Sequence, residues 1–483
     1  MKKFIGVVSG VVVLSLLVAM VALASGGPPG GGFYTGQTLQ NVGAATANVV
    51  VTAYDSATSA TYSRNYTVGV GSSISFFSGD ITGLPSGFQG SAVVSSDQPL
   101  KAIVNVTNRQ SGTYGISGGT AAAQYRGVDS ANTGTTLSFP LAKQGFGPKT
   151  SAFYIQNAGS ANATFSATFL MGTSLTDPAP VSYPYTSGTL APGQMAVIVP
   201  ADASVPAGRI GSLTVTSAQP MAGTVLEYET TTAPAKILQG TIGFTSADYD
   251  GRILFPVVKK QLGGRSTGLQ VQNVTAGSVD VTMVYYGASG ACAGLVYTET
   301  VRTVAASAST TYLDSALLPS GCLASGVATA TGNIAGVVNE SFLPCTGACV
   351  QRATIYSAFP ANSATTKLVA PVFKEDFGSK RTGLSIQNVG NATATASVVF
   401  QVGATTYTYN NVSIPVNSSF LLLDMSNTAV YPAANWAGGA MPNGSLAAVT
   451  VTADQPIIGI ANEAPTGSLV QDNINYEAFN VAP

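Results

Sequence analysis

An internal repeat constrains this chain more than any other feature. A Gln-Asn pair follows an alternating apolar stretch four times, at Gln40-Asn41, Gln156-Asn157, Gln272-Asn273 and Gln387-Asn388, with spacings of 116, 116 and 115 residues. A Pro-x-Gly mark opens a strand that ends 13 residues later in a Gln-Pro turn from Pro85, Pro206 and Pro442, and from Pro319 the same step reaches Gly332-Asn333, a turn of another type. A third mark precedes the pair in the last three copies: FPLAKQGFG from Phe139, FPVVKKQLG from Phe255 and APVFKEDFG from Ala370. Marks that agree in order and spacing make the chain four copies of one unit.

Each unit reads as β-structure. Ala47 to Tyr54 and Ser397 to Val402 alternate apolar and polar residues, as a half-buried strand does. Turn residues recur every 8–15 positions, and no amphipathic helical period appears. The expectation is an all-β chain of four tandem immunoglobulin-like antiparallel β-sandwich modules, at 33–136, 137–251, 252–366 and 367–483. A jelly roll is the competing architecture.

The start of the chain points to export. Lys2 and Lys3 precede an apolar run from Phe4 to Ala24 that closes on Ala22-Leu23-Ala24, the pattern of a signal peptide (1–24) cut after Ala24. An uncleaved anchor is the alternative. A Gly/Pro-rich spacer fills 25–32. Four cysteines suit an oxidising compartment, and Cys292–Cys322 with Cys345–Cys349 is the most economical pairing.

Composition excludes several chemistries. The chain has no histidine, so His-based catalysis and His-ligated metal are out. Its net charge of -1 gives no basic field for nucleic acid. No cofactor or metal is expected, and no membrane association once the leader is removed.

The fourth copy carries the marks most fully, in Pro371, Lys374, Gly383, Gln387, Asn388, Gln455, Pro456, Asn462 and Glu463. This pattern resembles tandem β-sandwich repeat proteins exported by filamentous Chloroflexota-type bacteria. The resemblance covers nearly the whole chain after the leader. It implies a surface or matrix protein and no reaction.

Several residues are candidates for a site. The Gln-Asn pairs would form four equivalent polar sites along a rod, or would cap strand ends. Asp80, Asp202, Asp314 and Asp424 recur after apolar runs and suit turn-capping better than calcium. Eight cations cluster at the three junctions: Lys143, Lys149, Lys259, Lys260, Arg265, Lys374, Lys380 and Arg381. They read as a basic surface patch for polysaccharide or as protection of an edge strand. Between Asp424 and Pro442 an inserted loop brings Tyr431 and the only tryptophan, Trp436; it is a candidate partner- or sugar-binding platform, or a flap folded over its own sandwich. Glu227, Glu340 and Glu463 recur at matched places, which suggests a fold role.

The expected function is that of a non-catalytic structural protein of the bacterial cell surface or extracellular matrix: a layer, sheath, filament or stalk subunit. It would associate with itself or with other surface components. An adhesin or carbohydrate-binding protein is the alternative. One ambiguity remains in the repeat: the Phe-Pro-x-x-Lys segment occurs three times for four modules. It is either a linker, one per junction, or the first strand of a sandwich that module one lacks.

Overall fold

The structure is a computed structural model that describes residues 13–17, 27–110, 114–313, 316–342, 352–466 and 473–481, of 13–17 the backbone pairing alone. The described residues are all-β, with short 3-10 turns and no α-helix. They form four tandem antiparallel β-sandwiches, in which the opening strands of modules two to four begin at Gly134, Asp250 and Thr365.

One strand organises each sandwich. In modules two, three and four it is a single long strand, Arg209–Glu229, Cys322–Phe342 and Ser445–Pro465. Its first half pairs with an opening strand and a hairpin; its second half pairs with the Gln-Asn strand. Gln219-Pro220 and Gln455-Pro456 therefore mark the crossing from one sheet to the other, not the turn that the sequence suggested. Proline donates no ladder hydrogen bond, and the register shifts at this crossing make room for it. In module one the crossing interrupts the strand, leaving Gly90–Ser96 in one sheet and Leu100–Thr107 in the other. The Pro-x-Gly glycines, Gly87, Gly208, Gly321 and Gly444, all have φ between 78° and 80°, which only glycine adopts freely.

The Phe-Pro-x-x-Lys segments are strands, not linkers. They lie in the opening strands Gly134–Gln144, Asp250–Lys260 and Thr365–Glu375. Each pairs with the first half of its own long strand, and the register shifts between Phe139 and Ala142, Phe255 and Val258, and Ala370 and Phe373. Pro140, Pro256 and Pro371 stand inside these bulges, the place in a strand where a missing N–H is tolerated. The bulge frees backbone groups that need a partner. Tyr356 Oη takes the N–H of Val257 at 3.1 Å and donates to its carbonyl at 2.7 Å; Tyr476 makes the same pair of bonds to Val372. In module one the corresponding place is held by Val13–Leu17, paired with Gly90–Ser96 and with Val128–Asp129.

The modules close on one another. Four equivalent strands, Ala122–Arg126, Leu238–Ile242, Ala353–Ser357 and Ile474–Glu477, pack in cyclic order, the fourth returning to the first. Thr241 and Ser357 share a hydroxyl bond of 2.5 Å there, and Glu477 accepts the N–H of Ser357. The opening strands of modules two, three and four touch the Gln-Asn strands of modules three, four and one. The arrangement is a ring, not the rod of the sequence expectation. Apolar residues cross the seams: Tyr125 of module one shares a core with Tyr154, Leu226 and Leu238 of module two, and Ile103 packs into the core of module four.

Module three carries a disulfide, Cys292–Cys322, with a Cα–Cα distance of 5.2 Å. It ties the end of a hairpin to the start of the long strand. Cys345 and Cys349 lie outside the described residues. Because the Cys292–Cys322 bridge spans 30 residues, the chain-entropy estimate for its loss is about 3–4 kcal/mol. Chemical denaturation with and without reductant, read by hydrogen exchange for each module, should show module three weakened by that amount and module two unchanged.

Candidate functional site

The recurrent charged residues converge on one motif. Glu227, Glu340 and Glu463 stand at the same place on the three long strands and are buried. Each meets two cations. Lys143 and Lys149 reach Glu227 at 2.8 and 3.2 Å; Lys259 and Arg265 reach Glu340 at 2.8 and 3.1 Å; Lys374 and Lys380 reach Glu463 at 2.6 and 2.5 Å. One cation comes from the opening strand and the other from the start of the Gln-Asn strand. A backbone bond joins the same strands: the N–H groups of Lys143, Lys259 and Lys374 donate to the hydroxyls of Ser151, Thr267 and Thr382, each at 3.0 Å.

Charge is thereby consumed within the fold. Burial works to raise the carboxyl groups of Glu227, Glu340 and Glu463, but the paired cations outweigh it and hold all three below the usual carboxylate range, Glu463 at about 2. Burial, helped by the neighbouring Lys374 charge, lowers Lys380 to about 8 against the pull of Glu463. The basic surface patch is therefore corrected for six of its eight residues, Lys143, Lys149, Lys259, Arg265, Lys374 and Lys380, which point to carboxylates. A seventh, Arg381, bonds Asp376 and lies 3.1 Å from Asp424. Lys260, the eighth, is half-buried at the end of its opening strand. In modules three and four a second neighbour pairs the opening strand only at Ile253–Leu254 and Leu368–Val369, away from its lysines.

The Gln-Asn pairs are equally internal. Asn41, Asn157, Asn273 and Asn388 each donate to two backbone carbonyls, one four residues ahead and one on a neighbouring strand. Each also accepts a backbone N–H two residues on, an Asx turn. The glutamines face the seams: Gln387 Nε2 donates to Asn417 O at 3.0 Å and to Gly326 O of module three at 3.4 Å. Asp80 and Asp202 accept the N–H groups of Phe77 and Val199 and close turns; Asp314 lies outside the described residues.

The inserted loop of module four is a flap over its own sandwich. Tyr431 is buried, and its hydroxyl takes the N–H of Leu423 at 2.8 Å. Trp436 is half-buried against Tyr409 and Phe400 and donates its indole N–H to Tyr431 O at 3.3 Å. Of the two readings from sequence, the flap is formed and the exposed aromatic platform is not. Among the described residues no group of three or more Cys, Asp or Glu side chains is placed to hold a metal.

The seams are not equal, and sequence reading missed the residues that make them so. Ser91 bonds Gly193 O, Ser212 donates to Ser307 O at 2.7 Å, and Ser325 donates to Asn417 O at 2.6 Å, each reaching the next module's turn. At the same place module four has Ala448. The seam it forms with module one contains a cavity of about 350 Å³ lined by Thr38, Gln124, Lys374 and Lys380 among others, and the seam between modules three and four has one of about 290 Å³ at the equivalent residues. Counting back from Gln-Pro exposes this difference in the sequence once the contact is known.

No protein-family model and no curated protein matches the chain. Among solved structures, Thermotoga maritima 1070 is similar over 23% of this chain and 95% of its own, at 19% identity and a TM-score of 0.19. A tetra-tandem repeat in the extending region of a large adhesion protein is similar over 97% of this chain and 99% of its own, at 13% identity and a TM-score of 0.11.

Two outcomes follow from the charged clusters. Glu463→Ala leaves Lys374 and Lys380 without their common buried carboxylate and should cost about 3–5 kcal/mol by denaturant unfolding. Replacing all three residues with Val, Met and Met should restore most of that loss. For acid, the sign is fixed by the depressed carboxyls. A carboxyl held below its unfolded value of 4.5 stabilises fully above that value and loses its contribution as pH falls toward about 2. Calorimetry as the pH is lowered below 4.5 should show modules two, three and four melting progressively earlier, as the lowered carboxyls of Glu227, Glu340 and Glu463 take up protons.

Proposed function

We infer that this protein is a non-catalytic structural component exported to the bacterial cell surface or extracellular matrix, where it serves as a rigid four-module block. One observation carries the reading: the residues that recur with the repeat are spent on the fold itself. The Gln-Asn pairs close turns and seams, and the glutamates and lysines neutralise one another inside. A catalytic or ligand-binding role needs polar groups left over and gathered in one place. Low charge, 8% of residues, lets copies approach without repulsion.

The adhesin or carbohydrate-binding reading rested on Tyr431 and Trp436, which pack inside module four, so the structural reading is preferred. Surface fractionation of the native host, with electron microscopy of the purified exported protein, tests it. The expected result is recovery in the envelope or matrix fraction and ordered assembly of the isolated protein. A freely diffusing monomer at all concentrations would overturn it.

A further inference from the structure

Module one differs from the others at key positions around its opening strand. The other modules supply that strand themselves; in module one no Phe-Pro-x-x-Lys segment precedes the Gln-Asn strand, and Gly27 to Gly32 (GPPGGG) leads directly into Phe33. The place is taken by Val13–Leu17, in the same register as the true opening strands. Ser15 is opposite Val94 as Leu137 is opposite Val215, and Leu17 is opposite Ala92 as Phe139 is opposite Leu213. These residues precede the expected cleavage after Ala24, so removing the leader empties a place between Gly90–Ser96 and Val128–Asp129.

The slot left behind is not a copy of the other three. Eight residues after Gln-Pro, where the other modules carry the buried glutamate, module one has Val106; seven residues before Gln-Asn, where they carry Lys149, Arg265 and Lys380, it has Phe33. Both are buried and apolar. A strand bearing the Phe-Pro-x-x-Lys lysine would find no carboxylate here, and a buried unpaired ammonium is costly. The second difference lies three residues before Gln-Asn. There the other modules place Phe153, Leu269 and Leu384 in their cores, Phe153 meeting Phe139 of its opening strand at 5.1 Å. Module one has Gln37, 1% exposed, with neither amide atom partnered among the described residues. An amide so placed calls for a hydrogen-bonding residue on the incoming strand. The register of Val13–Leu17 puts Leu17 there, and the one hydroxyl residue of that strand, Ser15, two positions away.

We propose that module one contains a strand-binding slot, and that its ligand is an uncharged, otherwise apolar β-strand of another polypeptide with a hydroxyl or amide side chain facing Gln37. The leader holds the slot only until export. Strand addition of this kind joins the protein to a different surface polypeptide through main-chain hydrogen bonds, with side-chain pockets setting specificity. The proposal rests on the export reading only in that the leader must leave.

The test uses the exported protein, its N-terminus read by mass spectrometry, and three synthetic peptides. One spans residues 11–18 with a polar tail. The second carries Ser15→Leu and Leu17→Ser, moving the hydroxyl to face Gln37. The third is residues 255–263, FPVVKKQLG. Binding is measured by calorimetry and by hydrogen-exchange protection of Gly90–Ser96. The second peptide should bind roughly ten-fold tighter than the first, the scale of one buried hydrogen bond made or lost, and the third should bind most weakly. Gln37→Leu should invert the order of the first two. The proposal is overturned if no peptide protects Gly90–Ser96, or if the lysine-bearing peptide binds as well as the second. An order unaffected by Gln37→Leu overturns it too. So does a chain that retains residues 13–17 in the slot, or one that protects the slot by self-association alone. Envelope localisation is scored separately, so the surface reading stands or falls on its own result.

Discussion

The carboxylate held between two cations is the interaction on which modules two to four depend. It stands where three strands meet: the long strand supplies the glutamate, the opening and Gln-Asn strands one cation each. An isolated buried charge is prohibitive, and a well-packed apolar trio would serve stability as well or better. What the cluster adds is register. A strand displaced by one residue turns every side chain to the opposite face and strands an ammonium in the core. The proline bulge beside it already loosens the ladder, so a second device that fixes the opening strand is physically useful. Module one, which has no opening strand of its own after Gly27, has Val106 and Phe33 in place of the cluster.

Much of the architecture was legible because the repeat marks are structural. Gln-Asn, Pro-x-Gly and Phe-Pro each correspond to a turn, a positive-φ glycine or a bulge, which tolerate few residue types. The four-module, all-β organisation followed directly. The lysines were misread because a sequence shows neither burial nor partners: Lys143 and Glu227 are 84 residues apart and meet only through strand pairing. Gln219-Pro220 was taken for a turn because that pair is a turn signal in isolation; a strand passing between sheets presents the same local break in pairing. The loop around Trp436 could be read from sequence as a platform or a flap because an insertion shows no partner; Tyr409 and Phe400 provide the apolar surface on which it folds back. Ring closure had no local signal, since it depends on the outer faces of sandwiches and not on their cores.

Unequal seams give the ring a direction. Three seams carry a serine bond to the following turn; the one between modules four and one has Ala448 at the donor position. The axial strands show the same drift. Tyrosine occupies one position in Tyr125, Tyr356 and Tyr476 but threonine in Thr241, which bonds across the axis to Ser357. Four copies of one unit have thus diverged by position in the ring.

The short connections between modules have a further consequence. Asp129 is joined to Gly134, Ile242 to Asp250 and Pro360 to Thr365 by only a few residues. Tethers of that length hold neighbouring surfaces at effective concentrations in the millimolar range. Three of the four seams therefore form as intramolecular events, and each can be weak and polar without the ring dissociating. The fourth joins the ends of the series, with no peptide bridging it directly. Its effective concentration is set by how stiffly the other three seams aim the end modules at each other. Softening any one tethered seam should therefore be felt first at the untethered one, making the ring a mechanical series with a single latch.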